Sequence, residues 1–473
     1  MTGRLELILV LVAVACGCGG SPPGTGDDAG TDADADTDTD TDADTDADTD
    51  TWAEPTGETL WAIRGDGLGA AYAVAAGPDG SVAVAGVFRD AIDFGAGPMA
   101  SNGENDGFVA LFDEDGSCAW SARFGGPLDD GANAVAFDAA GEVIVTGSFQ
   151  GTIQVGAETL VGAGSYDVPV IWLDGQGEPL RALRFGGPGF DVGFGIATGP
   201  GGTLVVMGAS GGPIDFGGDV LHGTESTFLA AFDGDGGHVW SRMLDEVQGN
   251  GVAVDGSGHT ALGGSFSGTI DLGTGPLSSL ASTDGLVARF DPGGGTVFAA
   301  RVGDGSSVFS YAVATGPASE IVLGGMANAQ GVSESFVMID RFSPQGEPLW
   351  SRKVGVADYA AANAVAVDGQ GHVVAAGFVR DGILDFGCGP LIAPADPELS
   401  FAGEAFLVKL DEEGGCLWSR IFGGDGDQGA FGVAVDATAR VTLAGRFQYG
   451  IDFGLGPLVA EHYPEPCAAG FAP

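Results

Sequence analysis

The residues of this sequence that could act together in binding or catalysis are acidic. Each connection between two of its repeated segments carries at least one: Asp66, Asp130, Asp191, Asp245, Asp304, Asp358 and Asp427. Seven carboxylates that converge on one axis would form an acidic funnel and attract Ca²⁺, amines or basic peptides. The loops of an acidic protein are acidic in any case, so the alternative is that each carboxylate acts alone.

Paired carboxylates could also hydrolyse glycosides, which requires two acids about 5 to 9.5 Å apart. The sequence alone does not fix the distance between any two of these acids. The folded part contains no HExxH or CxxC metal spacing and no phosphate-binding loop. We therefore expect a non-catalytic binding or scaffold module with an unknown protein, glycan or cationic ligand, and no cofactor beyond a possible Ca²⁺. The alternative is a carbohydrate-active or other hydrolytic enzyme that uses carboxylates of the long loops.

Net charge narrows the range of partners. The chain has 65 acidic and 17 basic residues, for a formal net charge of −48. Phosphate binding needs cationic patches, so nucleic acid is excluded as an expected partner. No feature demands a second copy, and we expect a monomer.

The N-terminus predicts export. Residues 1–20 combine Arg4, an apolar run too short to span a bilayer, and small residues before Cys16, as in a signal peptide. Ala13 to Cys16 resembles a bacterial lipobox, which implies lipid on Cys16, or alternatively on Cys18, and a place in the outer membrane or at the cell surface. Plain secretion is the alternative. Residues 21–51 are rich in Asp and Thr without a basic residue, and we expect a disordered tether.

Four further cysteines lie in the folded part, and export favours disulfides among them. We expect Cys388 to pair with Cys416, which would fix the base of the longest loop. Cys118 would then pair with Cys467 and join the first and last repeats. The alternative is free buried thiols.

The elements that must position these residues are short strands. Eighty-seven glycines and 28 phenylalanines favour an all-β fold. A hairpin pattern, as in ANAVAFDAAGEVIVTGSF, recurs about every 60 residues. The seven copies end at Phe88, Phe149, Ser210, Phe266, Ala327, Val379 and Phe447.

A second hairpin follows each copy and carries the spacing DxxGxxxW, as at Asp113, Gly116 and Trp120. Two hairpins per repeat predict a four-stranded blade, so residues 52–473 should form a seven-bladed β-propeller. The last repeat stops before its fourth strand, whereas Glu54, Gly57 and Trp61 precede the first. We therefore expect an N-terminal outer strand to complete the last blade and close the ring.

These repeats, with the recurring IDFGxGPL element, resemble the SBBP-type β-propeller repeat of bacterial exported lipoproteins over roughly residues 52–473. The resemblance implies the fold and the location without an activity. The DxxGxxxW spacing is also similar to the tryptophan-docking motif of quinoprotein-type propellers. Those enzymes use an adjacent cysteine pair near the quinone, and the folded part of this chain has none.

Overall fold

The computed structural model describes residues 57–328, 334–394, 403–424 and 426–473. The chain divides into Met1–Glu54 and a compact unit, Pro55–Pro473. The predicted signal peptide, lipidated cysteine and tether lie outside the described residues. The described part contains no helix long and apolar enough to cross a membrane.

The described regular elements are strands and one short 3₁₀ turn, Pro200–Gly202. The N-terminal strand is β1 (Thr59–Arg64). Repeat one contains β2 (Gly69–Ala76), β3 (Val82–Ile92), β4 (Met99–Phe112) and β5 (Cys118–Phe124). Repeat two contains β6 (Gly131–Phe137), β7 (Val143–Ser148), β8 (Thr152–Val155), β9 (Glu158–Val161), β10 (Val168–Leu173) and β11 (Pro179–Phe185). Repeat three contains β12 (Asp191–Thr198), β13 (Leu204–Ser210), β14 (Ser226–Phe232) and β15 (His238–Leu244).

Repeat four contains β16 (Val247–Val254), β17 (Thr260–Phe266), β18 (Thr269–Asp271), β19 (Pro276–Ser278), β20 (Asp284–Phe290) and β21 (Thr296–Val302). Repeats five and six share a long strand within the series β22 (Ser307–Thr315), β23 (Ile321–Asn328), β24 (Ser335–Phe342), β25 (Pro348–Val367), β26 (Val373–Asp385), β27 (Pro390–Ala393), β28 (Glu404–Leu410) and β29 (Cys416–Phe422). Repeat seven contains β30 (Gln428–Val435), β31 (Val441–Phe447), β32 (Gly450–Asp452), β33 (Pro457–Val459) and β34 (Glu465–Phe471).

The protein is an all-β propeller, but its sheets are not seven separate blades. Five sheets of four strands stand alone, and repeats five and six form one eight-stranded sheet. The expectation of seven separate four-stranded blades is therefore wrong. Three of the other six junctions between an outer strand and the next inner strand break at adjacent glycines such as Gly125 and Gly126. The corresponding segment from Val354 to Ala360 keeps pairing, first with β24 and then with β26, so β25 is continuous.

The first strand of the compact unit lies in the sheet of the last repeat. The strand order of that sheet is β1-β34-β31-β30, and β1 runs antiparallel to β34 from Thr59↔Phe471 to Arg64↔Cys467. The outer strand of the last sheet therefore comes from the N-terminal end, as the spacing of Gly57 and Trp61 predicts.

The first strands of successive repeats contact one another in the order β2, β6, β12, β16, β22, β25 and β30, and β30 contacts β2 again. Each of these inner strands has a β-bulge at the same place in its pairing with the next strand of its own sheet. A bulge leaves one residue unpaired and re-aims its side chain. The bulge residues are Tyr72, Asn133, Phe194, Asn250, Tyr311, Asn363 and Phe431.

The core lies between neighbouring sheets because both faces of every sheet are covered. On β3, Ala83 and Ala85 pack against repeat two, whereas Val82 and Val84 face the opposite way, toward the last repeat. This alternation follows from the two-residue period of a strand. The sheet of repeat one therefore packs against a neighbouring sheet on each of its two faces.

The DxxGxxxW spacing holds neighbouring repeats together. A methyl group added to Gly116 would lie 2.8 Å from the Trp61 ring, so the glycine turn of one repeat rests on the aromatic residue of the preceding repeat. The same contact recurs for Gly177 with Trp120, Gly294 with Trp240, Gly346 with Phe298, Gly414 with Trp350 and Gly57 with Trp418. At Gly236 the glycine turn instead lies against Leu183 and Arg181 of the preceding repeat. Trp120 and Trp350 also donate to carbonyls of these turns, at 3.1 and 2.9 Å. The contact of Gly57 with Trp418 leads back to the N-terminal segment.

The IDFGxGPL element is a small hairpin folded against its own sheet. In repeat one, Ile92 and Phe94 are buried, and the Phe94 ring lies 4.8 Å from that of Phe108. The Asp93 carboxylate accepts hydrogen bonds from the amides of Gly95 and Gly97. The element therefore has a packing role, and its aspartate is engaged by backbone.

Candidate functional site

One face of the propeller carries both kinds of long connection. Within an antiparallel four-stranded sheet, the start of the first strand, the end of the second, the start of the third and the end of the fourth lie on the same side. Six of the seven predicted acids follow fourth strands or begin first strands, and Asp358 lies in β25 where repeats five and six join, so all belong to this long-loop face. The hairpin turns lie on the opposite face.

Two of the seven acids are buried and bonded to backbone. Asp130 accepts hydrogen bonds from the amides of Gly126 and Gln150, at 2.6 and 2.9 Å. Asp191 accepts one from Gly187 at 2.8 Å and another from the Ser210 hydroxyl. Burial raises the pKa of Asp130 to about 6 and raises that of Asp191. Both carboxylates hold loops in place.

Four acids form ion pairs. Asp66 lies 3.3 Å from Arg64, Asp304 2.7 Å from Lys353, Asp358 2.9 Å from Arg380 and Asp427 3.1 Å from Arg446. The hydrogen bond from Lys353 lowers the pKa of Asp304. In each case a neighbouring cation already compensates the carboxylate.

The seventh acid, Asp245, is exposed and accepts a hydrogen bond from Ser226 at 2.7 Å. Each of the seven acids therefore has a partner in its own or a neighbouring connection. The arrangement matches separately anchored loops better than one shared cluster. Binding of Ca²⁺ at this face stays a prediction.

A second set of carboxylates was not singled out from the sequence. Each of these acids lies opposite the phenylalanine that ends a copy of the hairpin pattern, is fully buried and pairs with an arginine of the fourth strand. The pairs are Asp106 with Arg123, Asp167 with Arg184, Asp284 with Arg301 and Glu465 with Arg64. These acids could have been found from the sequence, because the acid occupies the same place in each of these repeats.

The bulge residues of the inner strands divide into two kinds around the ring. Asn133, Asn250 and Asn363 each donate from their side-chain amide to a carbonyl of the next inner strand, at 2.8 to 2.9 Å. The others are aromatic, and the Tyr72 and Phe431 rings meet edge to face at 6.2 Å. The Arg446 guanidinium lies 5.5 Å from the Phe431 ring centre. The asparagines join sheets, and the aromatic residues line the inner wall.

The connection that precedes β34 forms a charged cluster with the end of β1. Glu465 is fully buried and lies 2.8 Å from Arg64, and His462 lies 3.3 Å from Glu465 and 3.9 Å from Asp66. Asp66, His462 and Glu465 each offer one possible ligand atom for a metal ion within 4.8 Å of one another. Arg64 already lies among these groups, and Glu465 Oε1 accepts hydrogen bonds from the amides of Glu461 and His462.

The cysteines agree with one of the two expected pairings. Cys388 and Cys416 form a disulfide, whereas Cys118 and Cys467 are free, so the second pairing is wrong. Successive residues of a strand point to opposite sides. Ala468 faces repeat one, so Cys467 packs on the other side of β34, toward repeat six. Cys118 packs against the cluster that contains Ala468, so its thiol and that of Cys467 lie on opposite sides of β34.

Comparison with known proteins gives no family. No family model and no curated protein matches the chain. Solved structures that match include the Dos1 propeller, with 9% identity and a TM-score of 0.43 over 88% of this chain and 94% of that one. The C-terminal WD40 domain of Sif2 matches with 10% identity and a TM-score of 0.43 over 89% and 99%. Puromycin hydrolase matches with 16% identity and a TM-score of 0.44, over 84% of this chain and 53% of the hydrolase.

Proposed function

We propose that this chain is an exported, lipid-anchored β-propeller of the SBBP repeat type that binds a ligand on its long-loop face without catalysing a reaction. The observation that carries the proposal is that all seven predicted acids are engaged by a cation, a hydroxyl or backbone amides. A general acid or base must come within hydrogen-bond reach of the proton that it transfers. Carboxylates that anchor loops instead favour a rigid rim, on which binding sites are commonly built.

We also propose that the propeller has seven blades, with the eight-stranded sheet counted as two blades that share β25. Two observations support this count. The N-terminal part of β25 pairs with β24 and its C-terminal part pairs with β26, so each half belongs to a different set of four strands. In addition, the contacts between turn glycines and the preceding repeat number seven, the seventh being that of Gly57 with Trp418.

The proposed lipid anchor is tested by substitution of Cys16. Because the short apolar run is followed by Cys16 in a lipobox-like setting, we expect Cys16→Ser to move the protein from the membrane fraction to soluble export. Cys18→Ser is the matched control and should remain with the membrane. A wild-type protein found wholly in the soluble fraction would end the lipid-anchor proposal.

Binding is tested by immobilising the soluble Cys16→Ser protein and incubating it with a detergent extract of the native cell envelope. We expect it to retain a component that is released unchanged in mass. The released component is then incubated with fresh protein and followed by mass spectrometry. A shortened product that disappears in a variant of a long-loop acid would favour the hydrolase alternative, and no retained component would contradict the binding role.

A further inference from the structure

Two tyrosines of the last repeat form an exposed aromatic pair on the long-loop face. The rings of Tyr449 and Tyr463 lie 4.7 Å apart, and the two residues are 43% and 51% exposed. Exposed aromatic surface is unfavourable in water unless a partner covers it. The pair is therefore a candidate contact surface.

The backbone at Tyr449 adds an independent sign. Tyr449 has a φ of 58°, in the left-handed region. The same place, two residues after the end of the hairpin pattern, is filled in other repeats by Asp90, Gly151, Gly268 and Asp381, with φ of 63, 67, 77 and 44°. Glycine and aspartate tolerate this conformation, whereas a bulky residue there is strained. The last repeat keeps a strained tyrosine whose ring stays nearly half exposed, and such outliers concentrate at functional sites.

Negative charge surrounds the pair. Tyr463 follows Glu461 and His462, and His462 lies 3.9 Å from Asp66. The Asp66 and Glu461 side chains are 53% and 70% exposed. Arg64 lies within 3.6 Å of Asp66, Glu461 and Glu465, so one guanidinium faces three carboxylates. The surroundings of the tyrosines keep a negative balance.

We propose that Asp66, Tyr449, Glu461 and Tyr463, here called the tyrosine patch, bind a lysine or arginine side chain of a basic peptide segment of a protein partner. A cation is attracted by the faces of tyrosine rings and by nearby carboxylates, and the patch supplies both. The net charge of −48 steers such a partner toward the protein. This proposal rests on the binding role proposed above and specifies its site.

A metal ion explains these residues less well. The three candidate ligands would have to include Glu465, whose Oε1 accepts two backbone hydrogen bonds and whose Oε2 lies 2.8 Å from Arg64. A metal would also leave the exposed rings of Tyr449 and Tyr463 without a role. A peptide cation uses the rings and the two exposed carboxylates together.

The test measures fluorescence anisotropy of labelled hexalysine titrated with the Cys16→Ser protein and with the same protein carrying Tyr449→Gly. Glycine is the residue that repeats two and four use at this φ, so the thermal midpoint should stay the same or rise. Both proteins carry the same charges, including those of the Asp-rich N-terminal segment. We expect Tyr449→Gly to weaken hexalysine binding about five-fold. Asp381→Gly, which changes the equivalent position of repeat six, should leave the affinity unchanged.

Equal hexalysine affinities of the Tyr449→Gly and parent proteins would overturn the proposal. Tighter binding of neutral maltohexaose that is lost in Tyr449→Gly would also overturn it, because the patch would then be a glycan site. Retention of the same envelope component by both proteins would refute the tyrosine patch and leave the binding role standing. Failure of the parent protein to retain any component would instead refute the binding role.

Discussion

At the scale of residues, the position of an acid in its repeat could be predicted from the sequence but its partner could not. Asp130 and Asp358 look equivalent as acids of long connections. One is buried against the amides of Gly126 and Gln150, and the other pairs with Arg380. The difference depends on which group the folded loop brings within 3 Å, and residue spacing alone does not carry that information.

Asp340 gives a prediction for pH. It lies in β24, is 4% exposed, and its Oδ1 has no hydrogen-bond partner among the described residues. Burial raises its pKa to about 6, against the opposing effects of Ser351 and Lys353. A raised carboxyl pKa gives stability that is full below the unfolded value near 4 and is lost as pH rises through about 6. Asp340→Asn should therefore be more stable than wild type at pH 8, by up to about 3 kcal/mol.

Urea denaturation between pH 4 and 8 measures this effect, and the advantage of Asp340→Asn should vanish near pH 4. Asp219→Asn, at an exposed position, is the control and should follow wild type throughout. Parallel stability curves for Asp340→Asn and wild type across the range would show that Asp340 does not titrate in this way.

At the scale of elements, the hairpins could be predicted because alternation and turn residues are local signals. The continuous strand β25 was not predicted, since no local pattern shows that the outer strand of one repeat continues into the inner strand of the next. The glycines of the DxxGxxxW spacing could be located, but the contact that each makes with the preceding repeat required the three-dimensional arrangement.

That contact can be isolated with two alanine substitutions. Gly177 has a φ of 81°, and an added methyl would lie 2.7 Å from the Trp120 ring. Gly268 has a φ of 77° and nothing within 4 Å of an added methyl. Gly268→Ala should cost about 1 kcal/mol from the backbone alone. Gly177→Ala should cost about 2 to 4 kcal/mol, because the Trp120 ring must also move. Equal costs in thermal or urea denaturation would mean that the tryptophan contact is loose.

The disulfide of repeat six is a second element whose contribution can be measured. Cys388 and Cys416 are separated by 28 residues, and removal of a cross-link of this length from the unfolded chain costs roughly 3 kcal/mol. The double variant Cys388→Ser/Cys416→Ser should lose about that much in urea denaturation. Cys118→Ser, at a free and half-buried thiol, should lose far less. A similar loss in both variants would indicate packing rather than the cross-link.

At the scale of the whole molecule, closure was the feature best predicted from sequence, because a truncated last repeat and an extra first strand are complementary. In the folded protein β1 pairs with β34, and Trp61 carries the packing on into repeat one, where its ring stacks on that of Phe112 at 6.4 Å. The N-terminal strand is thus the outer strand of the last sheet and a contact surface for the first.

The measurement that tests this closure most directly is amide hydrogen exchange on a variant that lacks residues 52–64. The deletion removes β1, and with it the hydrogen bonds to β34 and the buried Trp61 side chain. Truncation of a buried tryptophan alone costs about 3 to 5 kcal/mol. We expect protection to fall in β31 and β34, more than 370 residues away along the chain, and around Gly116 in repeat one. Protection that stays unchanged in β31 and β34 would contradict closure by the N-terminal strand.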